Sequence, residues 1–363
     1  MRVLFDMGHP AHVHLFKNII KKLKEDGHEV KITARDKEVT LALLRSYGLE
    51  YENRGAIYHG MVNKAFGMLR IDYELYRIAK KFRPDLLIGV HNPYIAHVGF
   101  LLGKPAIIFT DTENVKIASL ITYPFVKCII TPTFFLEHVD PNKHITIKGF
   151  KETAYLHPAY FTPDPHVLEE LGLSAGDKFI ILRFISWGAS HDVGLKGIHK
   201  GAEKDIISAL SPYGKIFITS EKPLEGDLEQ YRLQVPPEKI HSLLSYAQLY
   251  IGEGGTMAVE SAMLGTPAIH IESAADGQPT GAACGNFLAL RDKYHLIHFY
   301  AKQDEALKKA IEILKDENSK KEWQKKQQML MADVVDVTAW LTEFIEDYPD
   351  SLRQKIKQTR SSK

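Results

Sequence analysis

The chain alternates short β-rich runs with helix-length segments. In the first half, apolar runs at residues 2–6, 29–34, 85–90, 106–110 and 128–131 each precede a segment long enough for a helix. Parallel neighbouring strands need such a crossover between them, whereas antiparallel hairpins do not. The alternation therefore predicts an α/β fold with a parallel, doubly wound sheet.

A second round of the same pattern follows a segment rich in proline and aromatic residues. A predicted strand at 143–148 leads into GFKETAYLHPAYFTPDP, and further strands are predicted at 179–183, 215–219, 249–252 and 267–271. The 363 residues also exceed what one hydrophobic core usually organises. We predict a Rossmann-like domain at 1–150, a second one at 151–335, and a C-terminal helix within 336–363 that crosses back to the first domain and ends in a disordered tail.

Composition narrows the choice of partners and compartment. The 46 basic and 45 acidic side chains nearly cancel, so no overall field favours nucleic acid as a partner. Cys128 and Cys284 are too few for a cysteine zinc cage or a disulfide framework. The amino terminus lacks the pattern of a signal peptide, and no apolar run is long enough to cross a bilayer. We expect a cytoplasmic protein, whereas its oligomeric state stays open.

The strongest chemical signal is GEGGTMAVESAMLGTPAI, which follows an apolar run at 249–251. It places glycines, among them Gly254 and Gly255, with Thr256 where a strand passes into a helix. Free amides at a helix start bind phosphate, and glycine lets the backbone approach it. Glu260 lies one helical turn after Thr256, where its carboxylate can accept from the hydroxyls of a ribose. A plain strand-to-helix turn with a solvated glutamate is the alternative.

The spacing of this segment resembles the donor-binding segment of GT-B glycosyltransferases and of the sugar-nucleotide 2-epimerases related to them. Four residues separate Gly255 from Glu260, four more separate Glu260 from Gly265, and Pro267 follows. The resemblance implies two Rossmann-like domains with parallel sheets facing a central cleft, and a nucleotide-sugar as substrate. In retaining members seven residues lie between two such glutamates, whereas six residues lie between Glu253 and Glu260. This difference favours inversion without a metal or other cofactor.

The first predicted strand runs into MGHPAHVHLFKNII, which resembles the glycine and histidine loop of the lipid-linked N-acetylglucosaminyltransferases of peptidoglycan synthesis. The resemblance places Gly8 against substrate and makes His12 the candidate general base, since histidine titrates near neutral pH. His9 and His14 are the alternatives. Each of these histidines is equally compatible with a capping or packing role.

The second domain opens with ILRFISWGASHD, a predicted strand and loop whose Arg183 suits a diphosphate because its planar fork matches phosphate oxygens. An ion pair between Arg183 and Asp192 is the alternative. In GT-B enzymes the matching loop lies against the donor phosphates, and a later helix and loop hold the base and the sugar. The residues that the resemblance adds to the donor site are Ser186, Trp187, His191, Asp192, Ile240, His241 and Gln278.

The sequence is compatible with four functions, which we give in the order in which it favours them. A glycosyltransferase that takes a sugar from a nucleotide diphosphate, for which we expect uridine, comes first. A UDP-N-acetylglucosamine 2-epimerase comes second, with His91, Asp111 and Glu113 as acid and base candidates. A metal hydrolase using the amino-terminal histidines and a non-catalytic sugar-nucleotide sensor are the remaining alternatives.

The whole chain also resembles a group of archaeal and bacterial proteins classed only as GT-B-like, through its HP-H-H-F start, its E-AYLHP-F-PD crossover and its RF-W-SHD loop.

One segment hints at a partner. Residues 58–84 interleave basic side chains with Met, Phe, Leu and Tyr, which is typical of an amphipathic helix that touches a membrane surface. An ordinary solvated helix face is the alternative. A weak peripheral membrane contact would suit a lipid-linked or glycan acceptor.

Overall fold

The structure is a computed structural model that describes residues 1–55, 61–174, 176–185, 197–198, 201–220, 223–224 and 226–361, with backbone alone for 61–66 and 359–361. The chain divides into two compact units. Unit 1 comprises residues 1–160 and 335–363, and unit 2 comprises residues 161–334. The division falls after Tyr160 and not at the predicted residue 150, because the segment after the last strand of unit 1 still packs within that unit through a helix at Thr153–Leu156.

Unit 1 is built on a parallel sheet. In its described residues the strands are β1 (Arg2–Met7), β2 (Glu29–Ala34), β3 (Glu52–Asn53), β4 (Leu86–Val90), β5 (Ala106–Phe109), β6 (Cys128–Pro132) and β7 (His144–Ile147). They pair in the order β3-β2-β1-β4-β5-β6-β7, and each pairing is parallel. The order reverses between β1 and β4, which is the doubly wound arrangement that the alternating sequence predicted.

Helices cover both faces of this sheet. Those in the first part of unit 1 are α1 (Pro10–Glu25), α2 (Thr40–Ser46), α3 (Met61–Phe82), α4 (Pro93–Leu102), α5 (Lys116–Thr122) and α6 (Thr153–Leu156). α1 begins at Pro10, whose fixed φ suits the first helical position, and its buried Val13, Phe16 and Ile20 recur every three or four residues. That spacing gives α1 one apolar face, which it buries against the sheet and neighbouring helices.

Unit 2 repeats the architecture with a smaller sheet. Its described strands are β8 (Phe179–Phe184), β9 (Lys215–Ser220), β10 (Leu249–Gly252), β11 (Ala268–Ile271) and β12 (Ile297–Tyr300). They pair in parallel in the order β12-β11-β10-β8-β9. The helices are α7 (His166–Glu169), α8 (Glu203–Leu210), α9 (Ile240–Tyr246), α10 (Gly255–Met263), α11 (Gly285–Leu288), α12 (Gln303–Lys315) and α13 (Ser319–Asp333).

The chain then returns to unit 1 through α14 (Val337–Glu346) and α15 (Asp350–Ser361). The Val335 amide donates to the Lys148 carbonyl at 2.8 Å, and Thr338 Oγ1 donates to the Ala154 carbonyl at 2.7 Å. α15 extends as far as Ser361, into the segment for which the sequence predicts a disordered tail. α15 contacts β7, and its buried Leu352 gives the polar helix an apolar anchor.

The described part of the chain contains no helix that is both long and apolar enough to cross a membrane.

A histidine on α4 joins three helices of unit 1. His97 Nδ1 lies 3.0 Å from Asp72 Oδ2 on α3, and its Nε2 lies 2.9 Å from the carbonyl oxygen of Ile121 on α5. The hydrogen bond to Asp72 is the main cause that raises the pKa of His97 above its ordinary value. The protonated ring can donate to both oxygens at once, so the link is strongest when His97 is charged.

We predict that this link makes the stability of unit 1 depend on pH. A raised folded-state pKa adds stability that is fully present below the unfolded value of about 6.5 and is lost as pH rises through the folded value. In urea unfolding, His97→Gln should therefore lose most stability relative to the wild type near pH 5.5 and progressively less towards pH 8.5. His166→Gln, at an exposed histidine of unit 2, is the matched control. A gap that stays constant across this range would contradict the role of the His97 charge.

Candidate functional site

The carboxyl ends of β8 and β10 form the point in unit 2 where the strand order reverses. β8 is followed in sequence by β9 on one side of it, and β10 by β11 on the other. Open α/β sheets bind ligands in the crevice at such a point, because the two loops diverge there. Arg183 of β8 and Gly252 of β10 are paired in register at this edge. The predicted phosphate loop and the predicted arginine are thus neighbours.

Close approach of two backbones explains the glycines of this loop. A Cβ on Gly252 would lie 2.4 Å from the carbonyl oxygen of Arg183, so any side chain at 252 would force the strands apart. Gly254 has a φ of +85°, which glycine tolerates best, and a Cβ there would lie 3.0 Å from Arg183 Nε. The side chain of Arg183 therefore runs alongside the loop, which is where the sequence predicted a phosphate-binding cation.

Helix α10 starts directly from this loop. Gly254 is its N-cap and makes no side-chain capping bond in the described structure, and its first turn, Gly255 to Met257, contains no acidic residue. Thr256 is half-buried in that turn. The positive end of the helix and its first amides can therefore serve an anion, as the sequence predicted for a diphosphate.

Glu253 has a structural role that the sequence did not indicate. Its carboxylate is buried and accepts from the amide of Ile185 at 2.7 Å and from the amide of Ile198 at 2.7 Å. Ile185 directly follows β8, and Tyr250 donates from its hydroxyl to the Glu253 carbonyl at 2.9 Å. Glu253 thus fastens the phosphate loop to both ends of the segment that follows β8. The predicted Ser186, Trp187, His191 and Asp192 belong to that segment and lie outside the described residues.

Glu260 and His241 form a buried pair. Glu260 lies on α10 and His241 on α9, with His241 Nε2 3.0 Å from Glu260 Oε1. Both residues are at most 5% exposed, and the His241 ring packs edge-on against Phe161. The partly buried Ile240 precedes His241 at the start of α9. The structure thus brings together two residues that the sequence predicted for the nucleotide-sugar site. Glu260 is buried, so it is not the solvated glutamate of a plain strand-to-helix turn.

Gln278 lies in an exposed turn after β11. Its amide donates to Asp276 Oδ1 at 3.0 Å, and its carbonyl accepts from Ala274 at 2.8 Å. These bonds fix the backbone of the turn. The contact of the Gln278 side chain with a donor sugar stays a prediction.

The corresponding edge of unit 1 centres on a buried carboxylate. Asp6, at the carboxyl end of β1, accepts from Thr33 Oγ1 at 2.7 Å, from Asn92 Nδ2 at 2.5 Å, and from Arg54 through Nε at 2.6 Å and Nη2 at 2.9 Å. Asn92 also caps α4 by accepting from the amides of Tyr94 and Ile95. This cluster occupies the point where the order of the first sheet reverses, between β1 and β4.

The histidine loop lies beside this cluster, and its rings accept hydrogen bonds from the backbone. The Gly8 amide donates to His12 Nδ1 at 3.2 Å, and the Ala11 amide donates to His9 Nδ1 at 3.2 Å. A neutral ring that accepts at Nδ1 carries its proton on Nε2. Burial, followed by the charges of His9 and Lys151, lowers the pKa of His12 well below its ordinary value. As placed, His12 is a neutral donor at Nε2, so the predicted general-base role would require the Gly8 bond to break.

The other predicted acid and base residues of unit 1 are engaged in contacts. His14 is buried, stacks on Tyr155, and has its Nδ1 3.3 Å from the Tyr47 hydroxyl. Asp111 is buried and accepts from Lys151 Nζ at 2.7 Å.

The residues proposed for the epimerase alternative are held in a similar way. Both ring nitrogens of His91 lie within hydrogen-bonding distance of hydroxyls, Thr110 at 2.8 Å and Ser119 at 3.3 Å. Glu113 accepts from the Leu136 amide at 3.3 Å. Each group therefore has at least one protein partner in the absence of substrate.

Two further features of the described residues bear on ligand binding. No group of three His, Cys, Asp or Glu side chains within them is placed to hold a metal ion. A cavity of about 340 Å³ lies in unit 2 near the amino ends of β8 and β10, where Phe179, Gln248 and Lys320 line it. Burial lowers the pKa of Lys320 to about 7, and its Nζ donates to the Ala247 carbonyl at 2.8 Å.

Sequence reasoning missed four residues that organise these edges, namely Asp6, Arg54, Lys151 and Glu253. Asp6 is the one acidic residue in the first apolar run of the sequence, which is an unusual place for a carboxylate and a signal that a partner exists. Its partner Arg54 lies 48 residues away in sequence. Only the parallel pairing of β1, β2 and β3 brings the two together, so their contact has no local sequence signature.

Comparison with solved structures identifies the fold of the chain. The chain matches spinosyn rhamnosyltransferase SpnG in complex with spinosyn aglycone at a TM-score of 0.63 and 14% identity, over 96% of this chain and all of that one. A putative UDP-N-acetylglucosamine 2-epimerase from Listeria monocytogenes matches at 0.65 and 12%, over 95% and 94%. MurG of Acinetobacter baumannii matches at 0.55 and 16%, over 95% and 99%. The fold is GT-B, and the prediction of its two Rossmann-like sheets is confirmed.

The chain itself belongs to the family described as "Protein of unknown function (DUF354)", whose model matches residues 1–339. An uncharacterised protein of Methanocaldococcus jannaschii is 28% identical over 279 residues, which cover 74% of this chain and 80% of the relative. The resemblance to GT-B enzymes and to a family of unknown function is therefore confirmed.

We predict that Glu253→Gln destabilises the protein by about 1.5–3 kcal/mol, the cost of weakening hydrogen bonds to a buried charged acceptor. Glutamine keeps one acceptor oxygen, but its amide group would face either Ile185 or Ile198 as a second donor. Urea unfolding measures the loss. Glu305→Gln, at an exposed glutamate of α12, should change stability by less than about 0.5 kcal/mol. Equal behaviour of the two variants would show that Glu253 does not fasten the segment after β8.

Proposed function

We propose that this protein is a glycosyltransferase that binds a nucleotide-diphosphate sugar at the reversal point of unit 2 and transfers the sugar to an acceptor. The loop Gly252–Thr256 carries the proposal, because it combines close backbone approach with a helix start that has no side-chain cap in the described structure. Arg183 beside Gly254 supplies a cation where a diphosphate would leave. These groups would stabilise the charge that grows on the departing nucleotide.

The proposed ligand position follows from the helix geometry. A diphosphate at the start of α10 places its ribose about 6 Å further along the helix, near Glu260, at 1.5 Å per residue. His241 holds the Glu260 carboxylate in position through the contact at 3.0 Å. Uridine is the proposed base, since the Listeria protein of the same fold is described as a putative UDP-N-acetylglucosamine 2-epimerase.

An inverting, metal-independent transfer needs a group that takes the proton of the acceptor hydroxyl. Because His12 and His9 both accept backbone bonds at Nδ1, the Nδ1 lone pair of each ring is already engaged. We therefore favour Asp111 over His12 and His9 as the base. Lys151 Nζ donates to its carboxylate at 2.7 Å and fixes the position of that group. Epimerisation is the second candidate, since the Listeria protein, which matches with a TM-score of 0.65, is described as a putative epimerase.

A membrane-bound acceptor is proposed from a patch of exposed apolar side chains around the His97 link. Leu69 and Tyr73 flank Asp72 on α3, Phe100 and Leu101 lie one turn after His97 on α4, and Ile117 and Leu120 lie on α5. Each of these six apolar side chains is at least 63% exposed. Exposed basic residues accompany them, namely Arg70, Arg77, Lys80, Lys104 and Lys116. Exposed apolar side chains together with basic residues suit binding to an anionic lipid surface.

The nucleotide prediction is tested by a thermal-shift screen with uridine, guanosine, cytidine and thymidine diphosphates and their common sugar conjugates. A ligand that binds only the native state raises the melting temperature, so we expect one base to do so selectively. Glu260→Gln should weaken binding of that ligand about tenfold or more, since charge-assisted hydrogen bonds to the ribose are worth roughly 1.5–3 kcal/mol. Glu305→Gln is the control.

No shift with any nucleotide at millimolar concentration would refute the proposed function, and unchanged affinity in Glu260→Gln would refute the placement of the ribose. With the bound sugar conjugate, nuclear magnetic resonance of the products separates the two enzymes. A transferase changes the sugar's attachment in the presence of acceptor, whereas an epimerase inverts one sugar carbon without acceptor.

The membrane prediction is tested by co-sedimentation with vesicles that contain anionic lipid. The double change Phe100→Ser and Leu120→Ser should reduce binding about tenfold or more, because each removes a large apolar side chain worth roughly 1.5–3 kcal/mol when buried. Met329→Ser is the matched control, since Met329 is 71% exposed in unit 2. Absence of wild-type binding at low salt would rule out the membrane contact and leave the nucleotide site unaffected.

A further inference from the structure

Arg54 has one buried donor that the protein does not use. Its Nε and Nη2 bind the two oxygens of Asp6, and its guanidinium lies 4.8 Å from the Tyr94 ring centroid. The side chain is 2% exposed, and Nη1 has no hydrogen-bond partner in the described structure. A buried polar donor without a partner destabilises the fold, and it does so more strongly when it is charged. Such a group in a native fold indicates a ligand or a functional constraint.

A second arginine beside it shows the same property. Arg35 directly follows β2, and its Nε is also buried without a partner among the described residues. Burial is the largest cause that lowers the pKa of Arg35, and the Arg54 charge lowers it further. Tyr94, Asp6 and Glu38 are the groups that oppose this effect. Arg35 as a whole is only half-buried, so the pair of arginines extends to the surface of unit 1.

The adjacent helix start does not explain these donors. At the beginning of α1, the Gly8 amide binds His12, the Ala11 amide binds His9, and the His12 amide binds the His9 carbonyl at 3.0 Å. Those donors are satisfied within the loop. A Cβ on Gly8 would lie 3.6 Å from Arg54 Nη2, so the loop passes close to the guanidinium with only a hydrogen atom at position 8. A ligand here would therefore meet arginine side chains more than loop amides.

We propose that Arg35 and Arg54 form a binding site for an oxyanion, a phosphate or a carboxylate group, at the carboxyl edge of the first sheet. Guanidinium N–H groups in a fixed fork match both kinds of oxygen. Asp6 neutralises Arg54 and holds it rigid, and Tyr94 packs beside it. The positive charge that remains for the ligand is that of Arg35, and the nearby charge of Glu38 raises the pKa of its guanidinium. His12 Nε2 supplies a further neutral donor on the same edge.

In the proposed transferase, this anion belongs to the acceptor. That assignment rests on the proposed function, whereas the oxyanion site itself does not. The acceptor would then carry a phosphate or carboxylate group, and the site would select against neutral sugars or alcohols because their binding would leave the arginine donors unsatisfied.

The test is a titration of the full chain with inorganic phosphate and, separately, with acetate, at constant ionic strength set by chloride. Thermal shift gives apparent affinities for the wild type, Arg35→Gln and the control Arg45→Gln, which changes an exposed arginine of α2. We expect Arg35→Gln to weaken binding of one of the two anions about tenfold, and Arg45→Gln to leave it unchanged. A phosphate response indicates a phosphorylated acceptor and an acetate response a carboxylated one. In the wild type, selective ¹⁵N-arginine labelling should show an Nε–H resonance of Arg35 that shifts with the same anion.

The proposal is overturned if Arg35→Gln and Arg45→Gln respond alike, or if no arginine Nε–H resonance moves with either anion. The resonance measurement uses the unmodified chain, so misfolding of a variant cannot mask the result. Arg183→Gln, which changes the proposed nucleotide site, should keep the Arg35 resonance shift. Failure of nucleotide binding with this shift retained would refute the proposed function alone, and the reverse pattern would refute only the oxyanion site.

Discussion

The Asp6 carboxylate is the interaction on which the first unit depends. It sits at the end of β1 and accepts from Thr33 on β2, from Arg54 just after β3, and from Asn92 just after β4. One buried charge thus fixes where four chain segments leave the sheet. Because Asn92 also caps α4, the same cluster fixes where that helix begins. A buried ion pair contributes little net stability compared with apolar packing, but removal of one partner is costly. The cluster therefore specifies geometry more than it adds stability.

Unit 2 uses the same device with different donors. Glu253 is a buried carboxylate at the end of β10, and it accepts from the backbone amides of Ile185 and Ile198. In both units a carboxylate of the protein occupies the centre of the reversal point and leaves cations and amides at its margin. Such an arrangement favours anionic ligands, because an anion meets donors at the rim while the central negative charge is already compensated.

Much of the fold followed from the sequence because parallel strands in a covered sheet are short apolar runs. The predicted run at 29–34 coincides with β2, and that at 249–252 coincides with β10. β3 was missed because two residues carry no pattern, and β12 because His298 and Tyr300 interrupt its apolar character. The candidate site was less predictable. The glycine cluster has a local signature, whereas the tautomer of His12 depends on one backbone amide and the Asp6–Arg54 pair on the pairing of three strands.

The return of the chain to unit 1 has a consequence for how the protein is made. Unit 2 is one continuous stretch, 161–334, whereas unit 1 needs residues from both of its flanks. α14 packs against α1, whose buried face includes Phe16 and Ile19. During synthesis on the ribosome this face of α1 emerges early and stays uncovered until the last segments appear, so the unit that begins first is completed last. Chaperones bind exposed apolar surface of this kind. We therefore expect them to bind unit 1 during synthesis, until α14 has been made.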